Sequence, residues 1–425
     1  MEISQKKTRS IYMNKKDVLE LKRRFKKDGN SFDHIAGCYV DAEKNKVVSF
    51  REIFGNLEDD EMHKYLEIAN KSLSGTVGNN ILCLEFPTDE VVEGSGGRHD
   101  LLMRLRASEL KDEAVLNEFY DNVIENFSYV GNYLILLFHD NYDVPVKTTD
   151  NMALDDSEEI FSYLLCAICP VNLSKAGLGY RQDENRIGAL LRDWVVAPVD
   201  TAFLFPAFSD RSQDLTHIGV YTKNPKDPHK EFWESGLHVT SEYTATEKRM
   251  AFESMVGKSL GGDEEENKEQ MLDVEEALND FINARAEKLP DDTPVLIKAE
   301  DIPEIMTESG LPEQKAQRIQ ERFASFFPEE EDAPLATDLL DTRALKNSEL
   351  RSEKKALQRQ VVELTGQLKQ AGVIAEEGKE VSVVVKVSPE KEAVVETAFV
   401  DGRKCLVIPL DDEDTATLNG ESLTF

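Results

Sequence analysis

The sequence predicts an α+β fold: a mixed or antiparallel sheet body with packed helices, a helical middle region, and a C-terminal charged helix with a small β unit. Three observations carry this. Apolar, β-branched and aromatic runs at Tyr163–Val171, Trp194–Val199 (continuing into Ala202–Phe208) and His217–Tyr221 are each fenced by Pro, Gly, Asn or Asp. Such fencing marks strands buried on both faces. From 240 to 330 the apolar residues recur with helical spacing, and after 380 they alternate in short runs. The implied organisation is a core domain at 14–235, a helical region at 240–330, an acidic linker at 331–344, a heptad-like helix at 345–371 and a β unit at 380–425.

Taken in order, Met13-Asn-Lys-Lys-Asp reads as a second possible start, with residues 1–12 an unstructured leader. Lys15–Lys27 is helical, because Val18, Leu19, Leu21 and Phe25 can share a face opposite Lys and Arg. Phe32–Phe54 reads as a hairpin around the polar stretch Asp41–Asn45. A helix at Asp59–Leu73, a strand at Asn80–Phe86, helices at His99–Ser108 and Asp112–Asn126, and a buried strand at Asn132–Asp140 follow. Asp143–Thr148 is expected to return that strand. Residues 138–151 then resemble 208–224: each has an apolar strand ending in Phe-x-Asp, a polar corner and a β-rich return. That similarity suggests a duplicated hairpin, or merely two similar ones.

Helices are expected at Glu242–Gly257, Asn267–Ala286, Ile302–Ser309 and Pro312–Phe327, with the apolar stretch Val295–Ile297 between the second and third. Pro328-Glu-Glu-Glu-Asp-Ala-Pro334 breaks helix and strand alike. Leu350, Leu357 and Leu364 fall seven apart in Leu345–Ala371, about three heptads, so this helix could take a protein partner or a second copy. Val381–Val387 and Ala398–Pro409 alternate and are followed by Leu418-Asn-Gly420.

The net charge of -32 repels phosphate backbones and anionic lipid. Residues 1–30 depart from it, with ten Lys/Arg against four acids. Lys22, Arg23, Arg24, Lys26 and Lys27 are therefore the candidates for any contact with RNA. No apolar run approaches the roughly 18–20 residues of a membrane helix, so no membrane partner is expected. Five cysteines, mostly inside apolar runs, suit a reducing, cytoplasmic setting rather than a disulfide framework.

No motif with a known mechanism is present, and no cofactor or metal is expected. Cys166-Ala-Ile-Cys169 lies in a strand run, where residues three apart point to opposite faces. Gly177-Leu-Gly-Tyr180 lacks the remaining features of a nucleotide fingerprint and reads as a turn. The seven histidines never adopt a metal-ligand spacing. What remains is a set of polar residues at strand ends. His139, Asp140, Arg192, Asp210, Arg211 and His217 could converge, with Arg181 and Arg186 as anion binders, into a hydrolytic cleft for a phosphorylated or anionic substrate. The alternative is that the aspartates cap corners and the arginines pair with nearby acids.

Several stretches carry a resemblance: GCYV (37–40), HKYLEIANKSLSG (63–75), VGNYLILLFHDNYDVP (130–145), CAICPVNLSKAGLGY (166–180), RDWVVAPVDTAFLFPAFSDRS (192–212), YTKNP (221–225) and VVETAFVDGRKCLVIP (394–409). They resemble a family of bacterial proteins of unknown function that is common in Gram-positive anaerobes. The likeness runs from Met13 to Asn419-Gly420, with 345–371 longer than the family leads one to expect. It implies a cytoplasmic bacterial protein and supplies no activity, cofactor or catalytic residue. The sequence-level expectation is a non-enzymatic binding or scaffold protein, with a hydrolase and an RNA- or ribosome-associated protein as rivals.

Overall fold

The computed structural model describes residues 13–26, 32–92, 94–147, 153–290, 293–328, 333–342, 345–346, 357, 361, 395–410, 416–418 and 421–423. The chain divides into two compact units, Met1–Lys346 and Asn347–Phe425.

The first unit is built on one antiparallel sheet. Its strands are β1 (His34–Val40), β2 (Lys46–Ile53), β3 (Ile81–Glu85), β4 (Asn132–Lys147), β5 (Ala153–Leu173), then β6 (Leu178–Arg181) and β7 (Arg186–Ala189) outside the sheet, β8 (Trp194–Val196), β9 (Thr201–Phe205), β10 (Ala207–Ser209) and β11 (Ser212–Asp214) as a separate hairpin, and β12 (His217–Thr222). The sheet order is β2-β1-β4-β5-β9-β12-β3, with β8 joining β5 beyond the end of β9. Every neighbouring pair in it is antiparallel.

Both faces of the sheet are covered, which is why its central strands read as unbroken apolar runs. Helices α1 (Lys15–Arg24) and α2 (Asp59–Ser72) cover one face, where Val18, Leu21, Phe25, Leu66 and Ala69 meet Leu136, Phe138, Leu165 and Leu204. Helices α3 (Arg98–Ala107) and α4 (Glu113–Asn126) cover the other with a turn of π-helix at Phe232–Gly236. There Leu102, Leu105, Phe119, Val123 and Trp233 meet Ile135, Leu137, Leu164 and Phe203. Cys166 belongs to the second core and Cys169 to the first, so strand alternation does separate the C-x-x-C thiols.

Two local expectations need correction. Asp143 does not begin a return strand: β4 continues to Lys147, with register shifts around Pro145, and pairs with β5 from Asn132↔Val171 to Lys147↔Ala153. The β4–β5 ribbon carries the alternating Tyr142 and Val144 into the core, and this pattern, not the polar corner, decides the conformation. The 208–224 segment does turn sharply, with Ser209 opposite Ser212 and both Asp210 and Arg211 at positive φ. One segment is half of a long ribbon and the other a tight hairpin, so the two do not share a conformation.

Helices α5 (Ala245–Leu260), α6 (Glu264–Ala286), α7 (Ile302–Glu308), α8 (Glu313–Phe326) and α9 (Ala336–Leu339) form a third core around Phe252, Leu278, Ile305, Ile319 and Leu339. Capping boxes start α5 at Thr244 and α6 at Asp263. The stretch Val295–Ile297 makes a single bridge, Leu296↔Leu335. Residues 333–342, expected to be acidic linker, instead pack: Ala336, Leu339 and Leu340 are buried, and Lys248 pairs with Asp338 at 3.2 Å. The apolar residues among the acids outweigh the charge run.

In the second unit, Glu396–Val400 (β13) and Arg403–Val407 (β14) form a hairpin, and Ala416–Leu418 (β15) pairs with Glu421–Leu423 (β16). The run Ala398–Pro409 is therefore not one strand. It folds at Asp401-Gly402, both at positive φ, the dipeptide that a two-residue hairpin turn favours. Val381–Val387 and most of the heptad-like helix 345–371 lie outside the described residues.

Candidate functional site

The sequence candidates do not converge. His139 and Asp140 are adjacent on β4, so they emerge on opposite faces. His139 is fully buried, with Nε2 3.3 Å from Ser162 Oγ and Nδ1 3.6 Å from Asp33, and burial lowers its pKa. Arg192 donates through Nε to the carbonyl of Ser174, at the far end of β5. Positions 162 and 174 are twelve residues apart along this strand, about 40 Å at ~3.3 Å per residue. No side chain spans that distance, so His139 and Arg192 cannot share a substrate. His217 stands level with Tyr163 but two strands across, ~10 Å away. It bonds Asp214 at 2.8 Å and Thr216 at 2.9 Å. Arg181 and Arg186 both pair with Glu184 inside their own hairpin.

Four of the candidates, Arg24, Asp140, Asp210 and Arg211, do meet, beneath α1. Asp17, Glu20 and Arg24 fall on one stripe of this helix, beside its buried Val18 and Leu21. Arg24 chelates Asp140 with Nε–Oδ2 at 2.9 Å and Nη2–Oδ1 at 3.0 Å, and Tyr163 donates to Oδ2 at 2.9 Å. The Arg24 guanidinium also lies 4.3 Å from the centre of the Tyr142 ring. Glu20 accepts from Tyr142 at 3.0 Å and from Arg211 Nε at 3.1 Å. Asp17 accepts from the backbone N–H groups of Asp210 and Arg211, holding the strained turn. Burial pushes the carboxyls of Asp17 and Asp140 above their usual range, and Arg24 pulls Asp140 part of the way back.

This seam joins the first helix to the β4–β5 ribbon and the β10–β11 turn. Its charged groups are turned on one another, so it fastens α1 to the sheet. Glu20, Tyr142 and Tyr163 escaped the sequence reading. The available signal was the placing of Asp17 and Glu20 between apolar positions, which puts them on the buried side.

Of the RNA candidates, Arg24 is thus committed inward, and Lys22 is partly buried with its pKa lowered by that burial. Arg23 and Lys26 are exposed, and Lys27 lies outside the described residues. A shallow depression of about 430 Å³ between α5 and α8, lined by Met255, Lys258, Arg322 and Phe326 among others, touches none of the candidates. Among the described residues, no group of three or more His, Cys, Asp or Glu could hold a metal ion, and no helix is long and apolar enough to cross a membrane.

The conspicuous surface is an arm between β5 and β9. Here the β6–β7 hairpin and β8 expose Leu178, Tyr180, Ile187, Leu190, Leu191, Trp194, Val195 and Val196. Leu191 is 82% exposed, Leu178 76% and Trp194 56%. Among the described residues β8 pairs only with β5, leaving its other edge open. Gly177-Leu-Gly-Tyr180, expected to be a turn, leads into and forms part of β6, whose close approach to Leu190 uses Gly179. The sequence reading missed this arm because apolar residues near a strand run were assigned to the core.

Fold and surface together define an antiparallel α+β sandwich protein with an exposed apolar segment between β5 and β9. The chain belongs to the family described as a domain of unknown function, DUF4317, whose model matches residues 13–421. No curated protein and no solved structure matches it.

Proposed function

We propose that this is a cytoplasmic, non-catalytic binding or scaffold protein that engages another protein through the arm at 174–196. The observation that carries the reading is the run of eight exposed large apolar side chains between Leu178 and Val196. Proteins seldom keep contiguous apolar patches beyond a few hundred Å² in water without a use. Trp, Tyr and Arg, all present here, are the residues that anchor protein interfaces. The acids Asp183, Glu184 and Asp193 within the arm disfavour a phosphate backbone or anionic lipid as the target. The free thiols of the body, with Cys38, Cys166 and Cys169 buried, accord with a reducing compartment.

The test is native-size fractionation of extracts from the producing cells, comparing the parent with Leu191→Ser/Trp194→Ser. The parent is expected in a complex larger than its monomer, and the variant in the monomer position with unchanged circular dichroism. Identical migration of both proteins would refute the arm as the binding surface.

A further inference from the structure

We propose that the β6–β7 hairpin pairs with the same hairpin of a second copy of this chain, face to face about a two-fold axis. The inference rests on the reading of the arm as a binding surface and names its occupant.

The hairpin is two-faced. In its register Leu178 stands opposite Ala189 and Tyr180 opposite Ile187, and alternation puts these four on one face. That face lies in water: Tyr180 is 61% exposed and Ile187 63%. The other face is already furnished. Leu190 lies against Gly179, while the guanidiniums of Arg181 and Arg186 lie over Gly188, 3.3 and 3.1 Å from where its Cβ would be. Arg181 is tied to Glu184 at 3.1 Å and to the Ala189 carbonyl at 2.7 Å, so the strands are held in register while their apolar face stays open. A two-stranded ribbon is marginal by itself, and covering this face would stabilise it.

Two features of the open face fit a copy of itself. Along the hairpin, the root row pairs a large with a small residue (Leu178 and Ala189), and the row nearer the tip pairs two large ones (Tyr180 and Ile187). A two-fold axis lying between the two faces and running across the strands sets the root of one hairpin against the tip of the other, so Ala189 leaves room for the bulk of the opposing row. The charges are arranged to match. Lys175 stands at the root and Asp183 at the tip, and among the described residues neither has an ion-pair partner. The same two-fold brings Asp183 of each copy to Lys175 of the other, twice per dimer. Such a contact closes on itself and does not propagate.

Sedimentation equilibrium of the full-length chain over the micromolar range tests this. The parent should be a dimer. Tyr180→Ser/Ile187→Ser should be a monomer with unchanged circular dichroism. Lys175→Glu and Asp183→Lys should each weaken dimerisation about tenfold, because every altered pair occurs twice. Combined in one chain, the two changes should restore parental association. Three results would overturn the proposal: a monomeric parent, single charge changes without effect, or a double variant weaker than either single one. A monomeric parent that still loses a host complex on Leu191→Ser/Trp194→Ser would dispose of self-pairing alone and leave the binding function standing. A parent that neither dimerises nor enters a complex would dispose of both.

Discussion

Glu275 is the clearest place to put a number on the structure. It lies in the middle of α6, 1% exposed, and its Oε2 accepts the backbone N–H of Asp341 at 2.8 Å. Burial raises its pKa from 4.5 to about 7, the Asp341 N–H opposes this, Glu253 and Asp341 add to it, and Arg249 again opposes. The folded chain therefore binds this proton more tightly than the unfolded chain. Stability from this group is fully present below pH 4.5, declines as pH rises through 4.5 to 7, and stays at its lower level above. A displacement of about 2.5 units at 1.36 kcal/mol each corresponds to ~3 kcal/mol, an upper figure. Glu275→Gln keeps the shape and an oxygen to accept the Asp341 N–H but cannot ionise. At pH 8 the variant should melt several degrees above the parent by scanning calorimetry, at ~2 °C per kcal/mol. The gap should close by pH 4.5. Equal melting at pH 8, or a gap of the same size at both pH values, would refute the reasoning.

Other expectations follow from the same physics. Asp140→Asn strands the Arg24 guanidinium and should cost about 3 kcal/mol, while Tyr163→Phe removes one charge-assisted hydrogen bond and should cost about 1.5 kcal/mol; denaturant titration reads both, and a loss under 0.5 kcal/mol for Asp140→Asn would mean that the seam does not hold α1. Gly75→Ala forces a side chain onto a φ of +96° and toward Asn80, whose amide holds Thr222, so a loss of 1 kcal/mol or more (about 1–3) is expected. In the third core, Leu278→Ala should lose about 2–5 kcal/mol by cavity formation, with Tm as the readout; an unchanged Tm would show that the helices repack freely.

Local pattern determined much of this protein by itself. The α+β class, the helices near 59–73, 99–108 and 112–126, and the strands around 81–85 and 132–140 are all legible, because each sets its own apolar period against water. The separation of Cys166 from Cys169 follows from alternation alone. Other features depended on what lies across the sheet. Asp140 reads as the polar end of a strand in sequence, yet β4 continues past it because Tyr142 and Val144 find a core beneath α1. Arg24 reads as part of a basic face, and only the packing of α1 brings it to Asp140, 116 residues away. The exposed Leu and Trp of the arm carry the same letters as core residues. Hydrophobic periodicity says that a side chain would gain from burial. Whether anything in the chain comes to bury it is decided by the tertiary structure, and for the arm nothing among the described residues does.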